Sequence, residues 1–143
     1  MTSWNDYFMQ LAWTAALRSK DPTTKVGCII VSEDNVVAAT GYNGIPMGVD
    51  DLPERMERPA KYLWTAHAEE NAIALAARVG ARLRGGTAYV THGPCSRCAR
   101  SLIQAGVKTV IVGHGTTSMP EEEFSVARTM FAEAGVVVHS ACN

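Results

Sequence analysis

Along residues 66–139 three helical stretches alternate with three short β-rich runs, and no other feature of the sequence limits the fold as much. Strands that alternate with helices bury both kinds of element by lying side by side in one sheet with the helices laid across it. Residues 66–79 are rich in Ala and Leu and are closed by Gly80, residues 95–104 are capped by Gly106, and Glu121–Ala134 follows Pro120. Residues 87–91, 107–113 and 136–139 read as the strands between and after them. Ahead of this alternation, Ser3 is placed to cap a helix. Its apolar positions Trp4, Phe8, Leu11, Ala12 and Ala15 fall at helical spacing, and it ends near Lys20, before Asp21-Pro22. Residues 26–32 and 36–40 are β-rich runs separated by Glu33-Asp34-Asn35, most simply a hairpin. Residues 41–65 hold Gly41, Gly44, Pro46, Gly48, Pro53 and Pro59 with few periodic apolar positions. They read as one long loop, which in a compact domain is usually functional. The order α-β-β-α-β-α-β-α-β predicts an α/β fold with a mixed five-strand sheet covered by helices on both faces.

The 143 residues, 47% of them hydrophobic, suffice for one core and predict a single domain over 1–143. No run of about 18 apolar residues occurs, and residues 1–6 carry no basic stretch ahead of an apolar one. The expectation is a cytoplasmic protein with no membrane partner. The formal net charge of −1 and the lack of a basic tail argue against a nucleic acid polymer as partner. The charge is nonetheless uneven: residues 78–108 carry Arg78, Arg82, Arg84, Arg97, Arg100 and Lys108 with no acid, as a small anionic substrate would need.

Four cysteines in a chain without a secretion signal read as metal ligands or core residues rather than disulfides. Cys95 and Cys98 lie three apart at the expected first turn of a helix, where their side chains share a face and the unpaired N–H groups favour thiolate. That pair alone fits a zinc site, a redox pair or two incidental cysteines. His67-Ala68-Glu69 opens the preceding helix, one strand away, so that both helix starts can meet over one edge of the sheet. His67, Cys95 and Cys98 then make three zinc ligands and leave the fourth position for water, the layout of a catalytic rather than a structural site. Water so bound is acidified from ~15.7 toward ~7. Glu69, two residues from the histidine, has the reach to shuttle protons without being a ligand.

His-x-Glu followed by Pro-Cys-x-x-Cys resembles the signature of zinc nucleobase deaminases. The resemblance widens to the deoxycytidylate (dCMP) deaminases through Arg18-Ser19-Lys20-Asp21-Pro22, Val26-Gly27, Gly41-Tyr42-Asn43-Gly44-Ile45-Pro46 and Lys61-Tyr62. It continues through His67-Ala68-Glu69-Glu70-Asn71-Ala72-Ile73, Pro94-Cys95-Ser96-Arg97-Cys98-Ala99 and Ile103-Gln104-Ala105-Gly106-Val107-Lys108, and so spans nearly the whole chain. It implies a cytidine-deaminase-like three-layer α/β/α sandwich and zinc-dependent hydrolysis of dCMP to dUMP and ammonia. It also implies a homo-oligomer, a hexamer by preference, with dCTP and dTTP as effectors. Carried onto this sequence, it makes His67, Cys95 and Cys98 the zinc ligands and Glu69 the proton shuttle. Asn43 becomes a sugar contact, Arg78 a phosphate contact, and the Ala68 or Cys95 amides anchors for the base. A turn residue before Gly44 is the plain alternative for Asn43, and an exposed arginine at a helix C-terminus for Arg78. Since about 12 helical residues span ~18 Å, Arg78 would act at a neighbouring subunit's site or an effector pocket.

The chain departs from the family at His92-Gly93-Pro94, where members usually carry a bulky residue before Pro-Cys, so Gly93 is expected to enlarge the substrate pocket. Glu70 stands where the family is commonly apolar, and Trp64 near a position often held by tyrosine. Cys28, Cys142, His114 and His139 do not reproduce the second, structural zinc site of some phage members; the two cysteines read as core or surface thiols and the two histidines as ordinary polar residues. The rival functions are a deaminase of a nucleoside, a free base or another aminated heterocycle, a tRNA-editing deaminase, and a catalytically silent nucleotide-binding protein, which would have no need of Glu69.

Overall fold

A computed structural model describes residues 1–141, and Cys142 lies outside them. Helix α1 (Trp4–Ala16) is followed by strands β1 (Gly27–Val31) and β2 (Val37–Tyr42), a short helix α2 (Lys61–Trp64) and helix α3 (Ala68–Val79). Then β3 (Thr87–His92), α4 (Ser96–Gln104), β4 (Thr109–Gly115), α5 (Glu121–Ala134) and β5 (Val137–Ser140) alternate as expected. The strands form one mixed sheet in the order β2-β1-β3-β4-β5, with β1 antiparallel to both neighbours and β3, β4 and β5 parallel.

Two faces of the sheet bury two different cores, and the strand period of two sorts the side chains between them. Ile29, Val31, Tyr89 and Ile111 point to one side and pack on Phe8, Met9 and Ala12 of α1. Cys28, Ile30, Ala88, Val90 and Val110 point to the other and meet Ala72 and Ala76 of α3, Ala99 and Leu102 of α4, and Ala127 and Phe131 of α5. The result is a three-layer α/β/α sandwich. Two glycines set the separation of the layers. A Cβ at Gly27 would stand 1.8 Å from the Ala12 carbonyl oxygen, and one at Gly41 would stand 2.2 Å from that of Ala68, so α1 and α3 touch the sheet backbone to backbone. Among the described residues no helix is long and apolar enough to cross a membrane.

Three helices end by the same closure, which moves the strand starts from their expected positions. Gly80, Gly106 and Gly135 each adopt positive φ, and the next residue's N–H bonds back five positions: Ala81 to Ala76, Val107 to Leu102, and Val136 to Phe131. These 6→1 bonds satisfy carbonyls left open at a helix end. Val107 and Val136 therefore belong to helix closures, and β4 and β5 begin at Thr109 and Val137 rather than at 107 and 136. At the other end of the chain, Ser3 does cap α1, its Oγ accepting the Asp6 N–H at 3.1 Å. The helix stops at Ala16 rather than near Lys20 because buried Ser19 donates its hydroxyl to the Asn43 carbonyl at 2.9 Å and draws the chain onto the end of β2.

The segment expected to be one loop over 41–65 is partly regular. Gly41 and Tyr42 complete β2, Pro53–Met56 forms a 3-10 turn, and Lys61–Trp64 forms α2. The turn and α2 are held together by the Arg55 guanidinium 3.8 Å over the Trp64 ring. Lys61 anchors the segment: its buried Nζ donates to Asp21 Oδ2 at 2.9 Å and to Thr23 Oγ1 at 3.2 Å. Burial raises the Asp21 pKa, but the Thr23 amide, the Lys61 ammonium, the Thr24 amide and the Thr23 hydroxyl outweigh it and hold the carboxyl below its ordinary value.

Two tests follow from this packing. Gly41→Ala forces α3 off β2 and should lower unfolding free energy by about 1–3 kcal/mol in denaturant titration, and an unchanged midpoint would refute the close seating. Because the folded pKa of Asp21 is depressed, its contribution is complete above the unfolded value of about 4 and is lost as pH falls through the folded one. Unfolding followed between pH 2 and 6 should show a steeper acid loss for the parent protein than for Asp21→Asn.

Candidate active site

The starts of α3 and α4 meet over one edge of the sheet, formed by the carboxyl ends of β2, β3 and β4 and the amino end of β1. After β2 the chain returns through a bridge in which Gly44 and Ala66 exchange N–H···O bonds of 3.1 and 2.9 Å, and this delivers His67 to the head of α3. After β3 it turns through Gly93-Pro94 and delivers Cys95 to the head of α4. His67 and Cys95 are the residues flanking their helices, with extended backbone at ψ 160° and 175°, so both side chains project beyond the helix ends.

His67 Nδ1 lies 3.2 Å from Cys98 Sγ and 3.5 Å from Cys95 Sγ, and the three donor atoms lie within 4.8 Å of one another. Tetrahedral zinc with ligands at ~2.0 and ~2.3 Å separates nitrogen from sulfur by about 3.6 Å, so the spacing suits that ion. The donor chemistry fits as well. The neighbouring Cys98 thiol brings the Cys95 thiol down to about 4, and Cys95 together with burial drives that of Cys98 far up. Hydrogen bonding to Cys95 raises the His67 pKa. A divalent cation held by these three donors would take the place of the protons they share.

Glu69 is buried beside these donors, and burial is the main reason its carboxyl is pushed up to about 7, against the opposing pull of its own amide and of His67. It lines a cavity of about 290 Å³ together with His67, Ala68, Cys95, His92 and Gly93. Ala68 is the first residue of α3, so its N–H has no partner within the helix. Gly93 does line this cavity. A Cβ there would meet Phe124 Cδ1 at 3.9 Å and Val112 Cγ1 at 4.0 Å, so the room it leaves lies toward α5 and β4. Asn43 also lines the cavity and uses its amide on the backbone: Oδ1 accepts the Val26 N–H and Nδ2 donates to the Thr24 carbonyl, both at 2.9 Å.

Arg78 is not brought to this cavity. It lies exposed at the far end of α3 with Nη1 2.9 Å from Met47 Sδ. None of the six basic residues of 78–108 lines the cavity; its cations are Arg58 and Lys61, from the acid-rich first part of the chain. Among the described residues Arg58 Nη2 has only Ser118 Oγ, at 3.4 Å, and next to Ser118 the buried Thr117 Oγ1 has no partner there. Local spacing gives no signal for Arg58, Thr117 or Ser118. Asp21 and Lys61 fall in stretches that carry the family resemblance, but only folding pairs them. Of the remaining cysteines and histidines, Cys28 is a core residue, and His114 stacks on Trp13 with ring centres 4.7 Å apart.

Residues 2–114 match the family model for the cytidine and deoxycytidylate deaminase zinc-binding region. The mouse deoxycytidylate deaminase is 41% identical over 139 residues, covering 93% of this chain and 76% of the mouse protein. A protein of Aliivibrio fischeri described as an uncharacterized deaminase in the luxG 3′ region is 40% identical over 141 residues, covering 96% and 93%. The crystal structure of dCMP deaminase from the cyanophage S-TIM5 in complex with dCMP and dUMP superposes with a TM-score of 0.77 at 27% identity, covering 94% of each chain. With a zinc-suited donor triad at the matched positions, the chain belongs to the cytidine and deoxycytidylate deaminase family.

Proposed function

We propose that this chain hydrolyses dCMP to dUMP and ammonia, with His67, Cys95 and Cys98 holding zinc and Glu69 moving the protons. The observation that carries the reading is a buried carboxyl that lines a cavity with His67 and Cys95, two of three convergent metal donors, in a chain similar over nine-tenths of its length to a deoxycytidylate deaminase. Zinc, when bound, supplies a Lewis acid that makes water acidic near neutral pH. The attacking oxygen bonds to C4 of the base. Glu69 accepts the first water proton and delivers it to ring N3, then passes the second to the amino nitrogen as the C4–N bond breaks and ammonia leaves. A binding protein without catalysis leaves no reason to bury a carboxyl there.

The rest of the cavity orients the nucleotide. The free N–H of Ala68 faces the base, and Asn43 keeps a second amide hydrogen for a sugar hydroxyl. Arg58 is the cation we assign to the 5′-phosphate. Lys61 is already engaged by Asp21, whereas among the described residues the Arg58 guanidinium and the Thr117 hydroxyl both lack a strong partner of the kind a phosphate would provide. Arg78, outside the cavity, is left to a neighbouring subunit of a homo-oligomer, a hexamer by resemblance, or to a nucleotide effector such as dCTP or dTTP. The substrate is then a free nucleotide of the cytoplasm.

Glu69→Gln should retain one zinc per chain by metal analysis and lose about 10²–10⁴ in rate; retained turnover would refute the shuttle. Across dCMP, CMP, deoxycytidine and cytosine, loss of the amino group should be fastest with dCMP. Arg58→Ala should lower kcat/KM for dCMP by about 10- to 150-fold, the worth of a charge-assisted bond, and leave deoxycytidine nearly unchanged. A parent protein that prefers deoxycytidine or a free base would transfer the function to that class.

A further inference from the structure

One carboxylate oxygen ties together the two helix starts that carry the metal donors. Glu70 Oε1 accepts the His67 N–H at 2.9 Å and the Arg97 Nη2–H at 3.0 Å. Glu70 is on the first turn of α3, and Arg97 stands between Cys95 and Cys98 on the first turn of α4. Neither side chain lines the cavity, so neither meets the substrate. The fold does not depend on the bridge either. Ala72, Ala76, Ala99 and Leu102 already pack α3 and α4 in the core, and an ion pair with side chains 26% and 46% exposed adds little to global stability. What the bridge does control is local. It fixes the backbone of His67 just outside α3 and locks that backbone to the segment holding both sulfurs.

We propose that Glu70 and Arg97 are positioning residues for the metal centre, holding the His67 imidazole at its distance from Cys95 and Cys98 and so slowing zinc release. This rests on the zinc centre of the proposed function and adds to it two residues that touch neither metal nor substrate. Groups that orient metal ligands typically change metal affinity or activity by about 10- to 100-fold when removed.

The test times zinc release from the loaded protein to a chromophoric chelator and compares unfolding midpoints of zinc-loaded and zinc-free protein. Arg97→Met removes the guanidinium and spares the His67 N–H bond, Glu70→Gln keeps an acceptor for that N–H without the charge, and Glu70→Leu removes both links. Release should quicken about tenfold in Arg97→Met and Glu70→Gln, and up to about 100-fold in Glu70→Leu. The double variant Arg97→Met/Glu70→Gln should be no faster than the faster single, since Glu70→Gln weakens, by loss of charge, the same link that Arg97→Met removes. Zinc-free midpoints of Arg97→Met and Glu70→Gln should stay within about 2 °C of the parent while the rise on zinc binding shrinks. Release within twofold of the parent in both variants would overturn the proposal. So would equal losses of midpoint with and without zinc, which mark a purely structural role. If the parent protein itself takes up no zinc, the zinc centre falls and the inference falls with it.

Discussion

Both helices that carry metal donors begin on a donor residue, and most of the site's architecture follows from that constraint. The position before the first helical residue is where Ser, Thr, Asp or Asn usually caps the unpaired amides. Here it is held by His67 in α3 and Cys95 in α4, whose side chains must face the metal centre instead. Each helix therefore borrows a carboxylate. Glu70 accepts the His67 N–H, and Glu123 of α5 accepts both the Ser96 N–H at 3.1 Å and the Ser96 hydroxyl at 2.7 Å. Those two Ser96 bonds keep the Glu123 carboxyl below its ordinary pKa. The third helix of that layer thus supports the site from outside it. The glycine contact at Gly41 completes the arrangement by letting α3 sit low enough on β2 for His67 to reach the edge of the sheet.

The electrostatics of the cavity do not follow the charge tally along the chain. The segment 78–108 has six cations and no acid, and it sends His92, Gly93 and Cys95 to the cavity but none of those six charged side chains. Within the wall, Asp21 and Lys61 cancel one another at 2.9 Å, and Glu69 belongs to the donor cluster. Among the described residues, the cation of this wall that remains without an acidic partner is Arg58. An anionic group entering the cavity meets one uncompensated guanidinium, and placement rather than net charge decides recognition.

What could be read from the sequence was whatever short spacing encodes. The donor triad lies in two motifs of three and four residues at helix starts, and a helix start can be recognised locally. The five strands, the principal helices and the mixed sheet were legible for the same reason, through the period of their apolar positions. The walls of the cavity were not. Lys61 meets Asp21 across forty positions, and Thr117 and Ser118 approach Arg58 from a loop sixty residues away, in segments without periodicity. The ends of elements were missed where a single bond decides them, as when Ser19 stops α1 by bonding to Asn43 or when Val107 closes α4 instead of opening β4.

Adjacent Glu69 and Glu70 show how far one residue step on a helix changes what the same side chain does. Successive residues on an α-helix point about 100° apart. At the first turn of α3 that rotation separates the cavity from the outer rim of the site. Glu69 points inward, loses its water, meets the sulfurs of Cys95 and Cys98, and is held near the point where it can both take and give a proton. Glu70 points outward, keeps part of its exposure, and spends one oxygen on two fixed donors. Glu70 thus answers to Arg97, its partner on α4, and stands outside the cavity that Glu69 lines.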